Sequence, residues 1–225
     1  METATYISRL NESFQQKSDE EIAFYMAKYM KGKFPFFGIK GPVRKEITKA
    51  FVSKNGLPLK DHFDEFIHGI WEIPHRELHY TGMEIAEKYK KQFIAKDIYW
   101  MEFMIVNQSW WDTVDFIATH LVGNLFKMFP DLIPEWNNRW ISSENMWLRR
   151  TAILFQLKYK EKTDKDLLYS NIIECSGEKE FFIRKAIGWS LRELSKTYPE
   201  EVRRFVDKNK ISGLSRREAL KRISV

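Results

Sequence analysis

The chain has 225 residues, and 37 Lys/Arg against 31 Asp/Glu give it a formal net charge of +6. A hydrophobic content of 44% is enough for a sizeable core and argues against disorder. A single cysteine, Cys175, excludes a disulfide framework and a thiolate zinc site, and no apolar run has the length of a signal peptide or membrane span. We expect one folded domain over residues 1–225, in the cytoplasm.

The positive charge lies towards one end of the chain. Residues 1–140 carry 18 Lys/Arg and 19 Asp/Glu, whereas residues 141–225 carry 19 and 12. A one-sided basic excess is typical of proteins that bind a phosphate backbone, although it also occurs on merely soluble basic surfaces.

The pattern along the chain predicts many short helices. Apolar residues recur at spacings of three and four, as in Ile22, Tyr25, Met26 and Tyr29, and sustained alternation is missing. Breaks are predicted by Gly, Pro, Asn and Ser at residues 38–42, 55–58, 130–134, 176–177 and 212–213. Three capping boxes are predicted, at Ser18-x-x-Glu21, Thr163-x-x-Asp166 and Ser215-x-x-Glu218.

The most informative segment is Ser109-Trp110-Trp111-Asp112-Thr113-Val114-Asp115. On a helix, Trp111 and Asp115 share a face, so an indole and a carboxylate point into the same space. This combination suits a substrate that carries or develops positive charge. Simpler roles exist for the neighbours: Asp112 fits a capping box with Ser109, and Trp110 fits a core position.

A weak internal repeat is also present. The segment 150–158 aligns without gaps on 184–192, and its beginning recurs at 217–220. A step of 35 residues back from Arg150 reaches Asp115, and a further 39 residues back reach Arg76. Such periods are typical of stacked helix pairs, and they predict a helical solenoid whose equivalent positions, Arg76, Asp115, Arg150, Arg184 and Arg217, line one groove.

Two helices of this repeat carry an indole three residues before an arginine, at Trp147 and Arg150 and at Trp189 and Arg192. Arginine suits phosphate oxygens, and an arginine near Asp115 is expected to keep that carboxylate ionised. A core position is the simpler interpretation for Trp147.

The sequence predicts neither a metal nor a cofactor. His75 and His79 are four residues apart, but no third histidine or cysteine ligand accompanies them. Glycine-rich phosphate loops, serine-nucleophile elbows and kinase signatures are missing.

Several long motifs together resemble the AlkD-type DNA alkylation repair glycosylases over about residues 23–223. These motifs are Tyr29-Met30, Phe34-x-Phe36-Phe37-Gly38-Ile39 with Pro42, the segment 109–115, the segment 147–160 from Trp147 to Lys160, and the segment 181–193 from Phe181 to Glu193.

The resemblance implies an all-α fold, a right-handed solenoid of HEAT-like helix pairs with a concave basic groove. It also implies an enzyme that excises N3- and N7-alkylated purines from double-stranded DNA. We expect this enzyme to be a monomer without a cofactor. Carried over by motif, Asp115, Trp111 and Trp189 are the expected catalytic residues. The expected DNA-binding residues are Tyr29, Arg150, Lys158, Arg192, Arg184 and Lys185, and Arg149 receives no role.

Two other functions are open. One is a non-catalytic paralogue that recognises bent or branched DNA by shape. The other is a protein-binding scaffold, whose binding should depend weakly on salt and should not be strengthened by alkylation of DNA.

Overall fold

The computed structural model describes residues 2–223, and within them the chain is all-helical. It packs as two compact units, one up to Gln92 and the other from Phe93. The single domain predicted over residues 1–225 stays a prediction, and its ends, Met1, Ser224 and Val225, lie outside the described residues. None of the described helices is long and apolar enough to cross a bilayer.

The first unit contains five α-helices among its described residues. They are α1 (Thr3–Gln15), α2 (Glu20–Tyr29), α3 (Gly41–Asn55), α4 (Phe63–Glu72) and α5 (Arg76–Lys88). Helix α2 forms where the apolar spacing predicts it, but none of its residues is buried, and Tyr29 is 74% exposed.

The second unit begins with α6 (Ile98–Val106) and α7 (Trp111–Phe116). A π-helical turn (Ile117–Val122) and α8 (Gly123–Met128) continue α7 without a break. The rest is α9 (Ile133–Ile141), α10 (Met146–Leu154), α11 (Lys165–Glu174), α12 (Phe181–Leu194), α13 (Pro199–Lys208) and α14 (Gly213–Ala219).

The repeat seen in the sequence corresponds to helices that pack on one another. The aligned segments begin in α10, α12 and α14, and α12 packs against both of the others. Asn137 on α9 and Asn171 on α11, 34 residues apart, exchange amide hydrogen bonds of 3.0 and 2.7 Å. Tyr169 stacks on Phe205 of α13, with 4.0 Å between ring centroids. Equivalent positions of successive repeats therefore touch.

The three predicted capping boxes are wrong. At α2 and α11 the neighbouring acids, Asp19 and Asp164, accept the backbone N–H three residues ahead, at 2.9 and 3.0 Å. A carboxylate is the stronger acceptor of a helix-end amide, so the Ser18 and Thr163 hydroxyls donate to carbonyls of the preceding turn instead. Ser215 lies inside α14, which begins after Ser212.

The expectation that Arg76 lines an open groove is also wrong. Its side chain is fully buried and its guanidinium carbon lies 3.8 Å from the centre of the Phe34 ring. The adjacent Glu77 is buried too, and it accepts the backbone N–H groups of Phe37, Gly38 and Ile39 at 3.0–3.1 Å. The phenylalanine-rich motif is thus fixed to α5 by buried hydrogen bonds to Glu77.

Gly38, in the same motif, packs closely against the start of α2, and substitution of this glycine tests the contact. Its φ of +86° favours glycine, and an added Cβ would lie 2.0 Å from the Asp19 carbonyl oxygen. Gly56 has a similar φ of +78° with no atom within 4 Å of an added Cβ. We expect Gly56→Ala to lower the free energy of unfolding by about 1–3 kcal/mol, the cost of a backbone with positive φ and extended ψ alone. Gly38→Ala should lower it by about 4 kcal/mol or more in urea denaturation. Equal losses would contradict the close contact.

Candidate active site

The predicted site is built around an ion pair between Asp115 of α7 and Arg150 of α10. Arg150 donates from Nε to Asp115 Oδ1 at 2.7 Å and from Nη2 to Oδ2 at 2.8 Å. The third nitrogen, Nη1, donates to the carbonyl of Phe182. Arg150 is only 4% exposed, so it is a buried partner of the carboxylate.

Two opposing effects act on Asp115. Burial raises the pKa of Asp115, while the hydrogen bonds and charge of Arg150 lower it; the net direction is upward from the ordinary value. The expectation that an arginine lies beside Asp115 is confirmed. The arginine only partly offsets burial, so the carboxylate ionises at higher pH than an exposed aspartate.

Asp115 opens onto a cavity of about 270 Å³ in the second unit. Trp111, one turn before Asp115, lines it as the shared-face argument predicts, and Trp189 of α12 lines it as well. The remaining lining residues are Arg150, Phe181, Phe182, Lys185 and Arg192. Among the residues that line this cavity, Asp115 is the one carboxylate.

An aromatic cluster of the buried Trp110 and Trp147 with the half-buried Phe182 supports this cavity. The centroid of Trp110 lies 5.8 Å from that of Trp147 and 5.0 Å from that of Phe182, and Trp147 lies 5.1 Å from Phe182. Trp110 and Trp147 are buried and do not line the cavity, which agrees with core roles for both. Their rings fix the start of α7, and therefore the position of Trp111.

The predicted capping role of Asp112 with Ser109 is wrong. Helix α7 begins at Trp111, and the Ser109 hydroxyl donates to the carbonyl of Ile105 at 2.6 Å. Asp112 lies in the first turn, where a negative charge interacts favourably with the helix dipole.

The sequence of this chain matches a known protein family over nearly its whole length. The sequence model of a family described as DNA alkylation repair enzyme matches residues 10–223. The chain belongs to the DNA alkylation repair enzyme family. Among functionally curated proteins, none matches it significantly.

Solved structures agree with this assignment. A predicted DNA alkylation repair enzyme from Enterococcus faecalis is 32% identical, with a TM-score of 0.85 over 92% of this chain and 97% of its own. AlkD2 from Streptococcus mutans is 14% identical, with a TM-score of 0.68 over the whole of both chains. The protein smu.31 from Streptococcus mutans UA159 is also 14% identical, with a TM-score of 0.65 over 99% of this chain and all of its own. These two share the fold.

The other predicted DNA-binding residues of this family member lie in different settings. Lys185 and Arg192 line the cavity, and Lys158 is exposed, with its Nζ against the His120 ring. Arg184 is half-buried beside Gly213. Tyr29 lies in the first unit.

Arg149 has a structural role in the second unit. Its Nε and Nη2 donate to the two carboxylate oxygens of Glu178, each at 2.8 Å, and Nη1 donates to the carbonyl of Ser143 at 2.6 Å. It lies outside the set of side chains that line the cavity.

Sequence reasoning gave no role to Phe182, whose carbonyl orients Arg150. It gave Glu218 a capping role, whereas Glu218 pairs with Arg192 at 2.6 Å and Lys185 at 3.2 Å. The repeat held a signal for Glu218, because it aligns with Lys185 when Arg217 is aligned with Arg184. An acid opposite a base at aligned positions is typical of contacts between neighbouring repeats.

A metal site is not supported within residues 2–223, where no group of three or more potential ligands occurs. His75 stacks on Phe37 with 3.9 Å between ring centroids. His79 is fully buried, and its ring nitrogens contact Arg76 and the carbonyl of Ile73.

The two adjacent arginines give a matched test of the ion pair. Arg150→Ala leaves a buried carboxylate unpaired and should lower the free energy of unfolding by about 3–5 kcal/mol at neutral pH. Arg149→Ala breaks a more exposed pair and should cost about 1 kcal/mol. Urea denaturation of both variants measures the difference.

The Arg150→Ala loss should depend on pH. Without the arginine, the pKa of Asp115 rises further above its value in the unfolded chain. Ionisation then opposes folding as pH rises, so the loss should be smaller in mildly acidic than in neutral buffer. A loss that does not change with pH would contradict the assignment of this penalty to an ionised Asp115.

Proposed function

We propose that this protein is a DNA glycosylase that hydrolyses the N-glycosidic bond of cationic N3- and N7-alkylated purines, such as 3-methyladenine and 7-methylguanine, in double-stranded DNA. The observation that carries this proposal is the position of Asp115, a carboxylate that is only 15% exposed in a cavity lined by Trp111 and Trp189. Membership of the DNA alkylation repair enzyme family supports a DNA substrate.

The chemistry suits one carboxylate. An N-alkylated purine is already positively charged, so it leaves as a neutral base when the bond to C1′ breaks and both bonding electrons go to the base. Positive charge then develops on the sugar as an oxocarbenium ion. Asp115 stabilises that charge and orients the water whose oxygen attacks C1′; the water loses its proton to solvent.

Each neighbouring side chain has a role in this proposal. The faces of Trp111 and Trp189 hold a cationic nucleotide through cation–π attraction. Arg150 fixes the plane of the Asp115 carboxylate through its two hydrogen bonds. Lys185 and Arg192 lie at the cavity and suit the phosphates beside the lesion.

Further contacts to the DNA backbone are assigned to Lys158, Arg184 and Tyr29, in line with the family motifs. We further propose that the protein acts as a cytoplasmic monomer without metal or cofactor. The lone thiol of Cys175 is buried, which fits a reducing compartment.

Base release tests the role of Asp115. An ion pair at about 4 Å, with an effective dielectric constant near 20, contributes about 4 kcal/mol, or about three powers of ten in rate. We expect Asp115→Asn to lower the single-turnover rate of base release from methylated duplex DNA by at least about a hundredfold. DNA affinity should change little, because the anion acts mainly on charge formed in the transition state.

Asp112→Asn is the matched control, since Asp112 is the other acid of the same helix, and it should keep most of the rate. The opposite ranking of the two variants would reverse the assignment. A wild-type protein that binds bent DNA but releases no methylated base would support the non-catalytic paralogue.

Salt dependence tests the backbone contacts. Each phosphate contact contributes a slope of about −0.9 to log affinity against log salt. We expect the exposed Lys158→Gln to make the slope shallower by about one contact, because its Nζ is assigned to a phosphate. Lys54→Gln, at an exposed position of α3, should leave it unchanged. A flat titration for the wild type would favour the protein-binding scaffold.

A further inference from the structure

Glu218 of α14 lies behind the positively charged edge of the active-site cavity. One carboxylate oxygen is 2.6 Å from Arg192 Nη1 and the other is 3.2 Å from Lys185 Nζ. The Glu218 side chain is only 14% exposed, whereas both cations line the cavity. One acid therefore pairs with two of the cations that face the substrate space.

The helix packing brings this acid close to α12. Gly188 of α12 has no side chain, and a Cβ added there would lie 2.5 Å from the Glu218 Cβ. The Ser215 hydroxyl, one turn before Glu218, donates to the carbonyl of Arg184 at 3.2 Å. Helix α14 is thus fixed where Glu218 reaches the cations, one turn either side of Trp189.

The charge balance of the cavity depends on Glu218. Asp115 and Arg150 cancel each other, which leaves Lys185 and Arg192 as the source of positive potential. Burial raises the pKa of Glu218, but the hydrogen bond from Lys185 and the surrounding positive charges outweigh it and lower the pKa, so the acid is ionised at neutral pH. It offsets one of the two positive charges.

Two demands on this edge conflict. Positive charge attracts the phosphates of DNA, but it repels a cationic base and the cation that forms on the sugar. If both cations were unpaired, the cavity edge would bind phosphate well but would repel the cationic lesion. If both cations were missing, the edge would no longer bind the phosphates of the DNA backbone.

We propose that Glu218 is a specificity-determining residue that sets the positive charge beside Trp189 low enough for the cavity to prefer a cationic nucleotide. This inference rests on the proposed glycosylase function for the chemistry of the ligand. In this proposal, Glu218 sets how strongly the cavity binds a cationic nucleotide relative to the phosphates beside it.

The test compares two abasic-site analogues in otherwise identical duplexes, a pyrrolidine that is protonated at neutral pH and a neutral tetrahydrofuran. The ratio of their affinities measures the preference for charge. We expect the wild type to bind the pyrrolidine duplex more tightly and Glu218→Gln to reduce that ratio about three- to tenfold. Affinity for the tetrahydrofuran duplex should stay equal or rise.

Two further variants separate charge from structure. Glu178→Gln weakens the half-buried pair with Arg149 in the same unit, away from the cavity, and should leave the ratio unchanged. Adding Lys185→Gln to Glu218→Gln removes one positive charge as well, so the net charge of the cavity edge returns to its wild-type value. The affinity ratio of the double variant should therefore recover most of the way to that of the wild type.

The outcomes distinguish the two proposals. A wild type with no preference for the pyrrolidine duplex contradicts the cation binding in the proposed function itself. A wild type with the preference, but a Glu218→Gln variant with the same ratio, overturns the inference alone. Weaker binding of both duplexes and a lower melting temperature, with no recovery in the double variant, would give Glu218 a merely structural role and also overturn it.

Discussion

The buried pair of Asp115 and Arg150 is the interaction on which the site depends. Removing a carboxylate from water costs several kcal/mol, and that cost is offset only by a partner with good geometry. The partner comes from another helix 35 residues later, and it is held in turn by the Phe182 carbonyl of a third helix. The geometry of this site therefore exists only when α7, α10 and α12 have packed, and folding and site formation are the same event.

Contacts between equivalent positions of the repeat also hold neighbouring helices of the second unit together. Asn137 pairs with Asn171, and Tyr169 stacks on Phe205, at separations of 34 and 36 residues. Buried amides that satisfy each other fix the register between helices, since an amide without its partner is costly. A repeat whose register is fixed in this way can place single residues from separate helices, such as Trp111 and Trp189, in one cavity.

Much of this arrangement could be predicted from the sequence, and the failures have physical causes. Helical spacing predicted the shared face of Trp111 and Asp115, and the 35-residue step linked Asp115 to Arg150. The capping boxes failed because an adjacent acid competes for the same amide, which spacing alone does not reveal. The prediction that Arg76 lines the groove failed because an alignment identifies an equivalent position but does not show whether its side chain is exposed. The pairing of Glu218 with the cavity cations was not predicted, because it also depends on how closely α14 approaches Gly188.

Pairing the proposed catalytic anion, Asp115, with a cation weakens its electric field, yet the geometry of this pair limits the loss. A carboxylate has about four lone-pair sites, and the two hydrogen bonds from Arg150 use two of them. One site on each oxygen is left for a water or for charge on a sugar. Burial holds the pKa of Asp115 above its ordinary value even beside the guanidinium, so the anion is less stabilised than one in water. Such an anion interacts strongly with positive charge that forms on the sugar. In the proposed reaction, that interaction is the source of catalysis by a single acid.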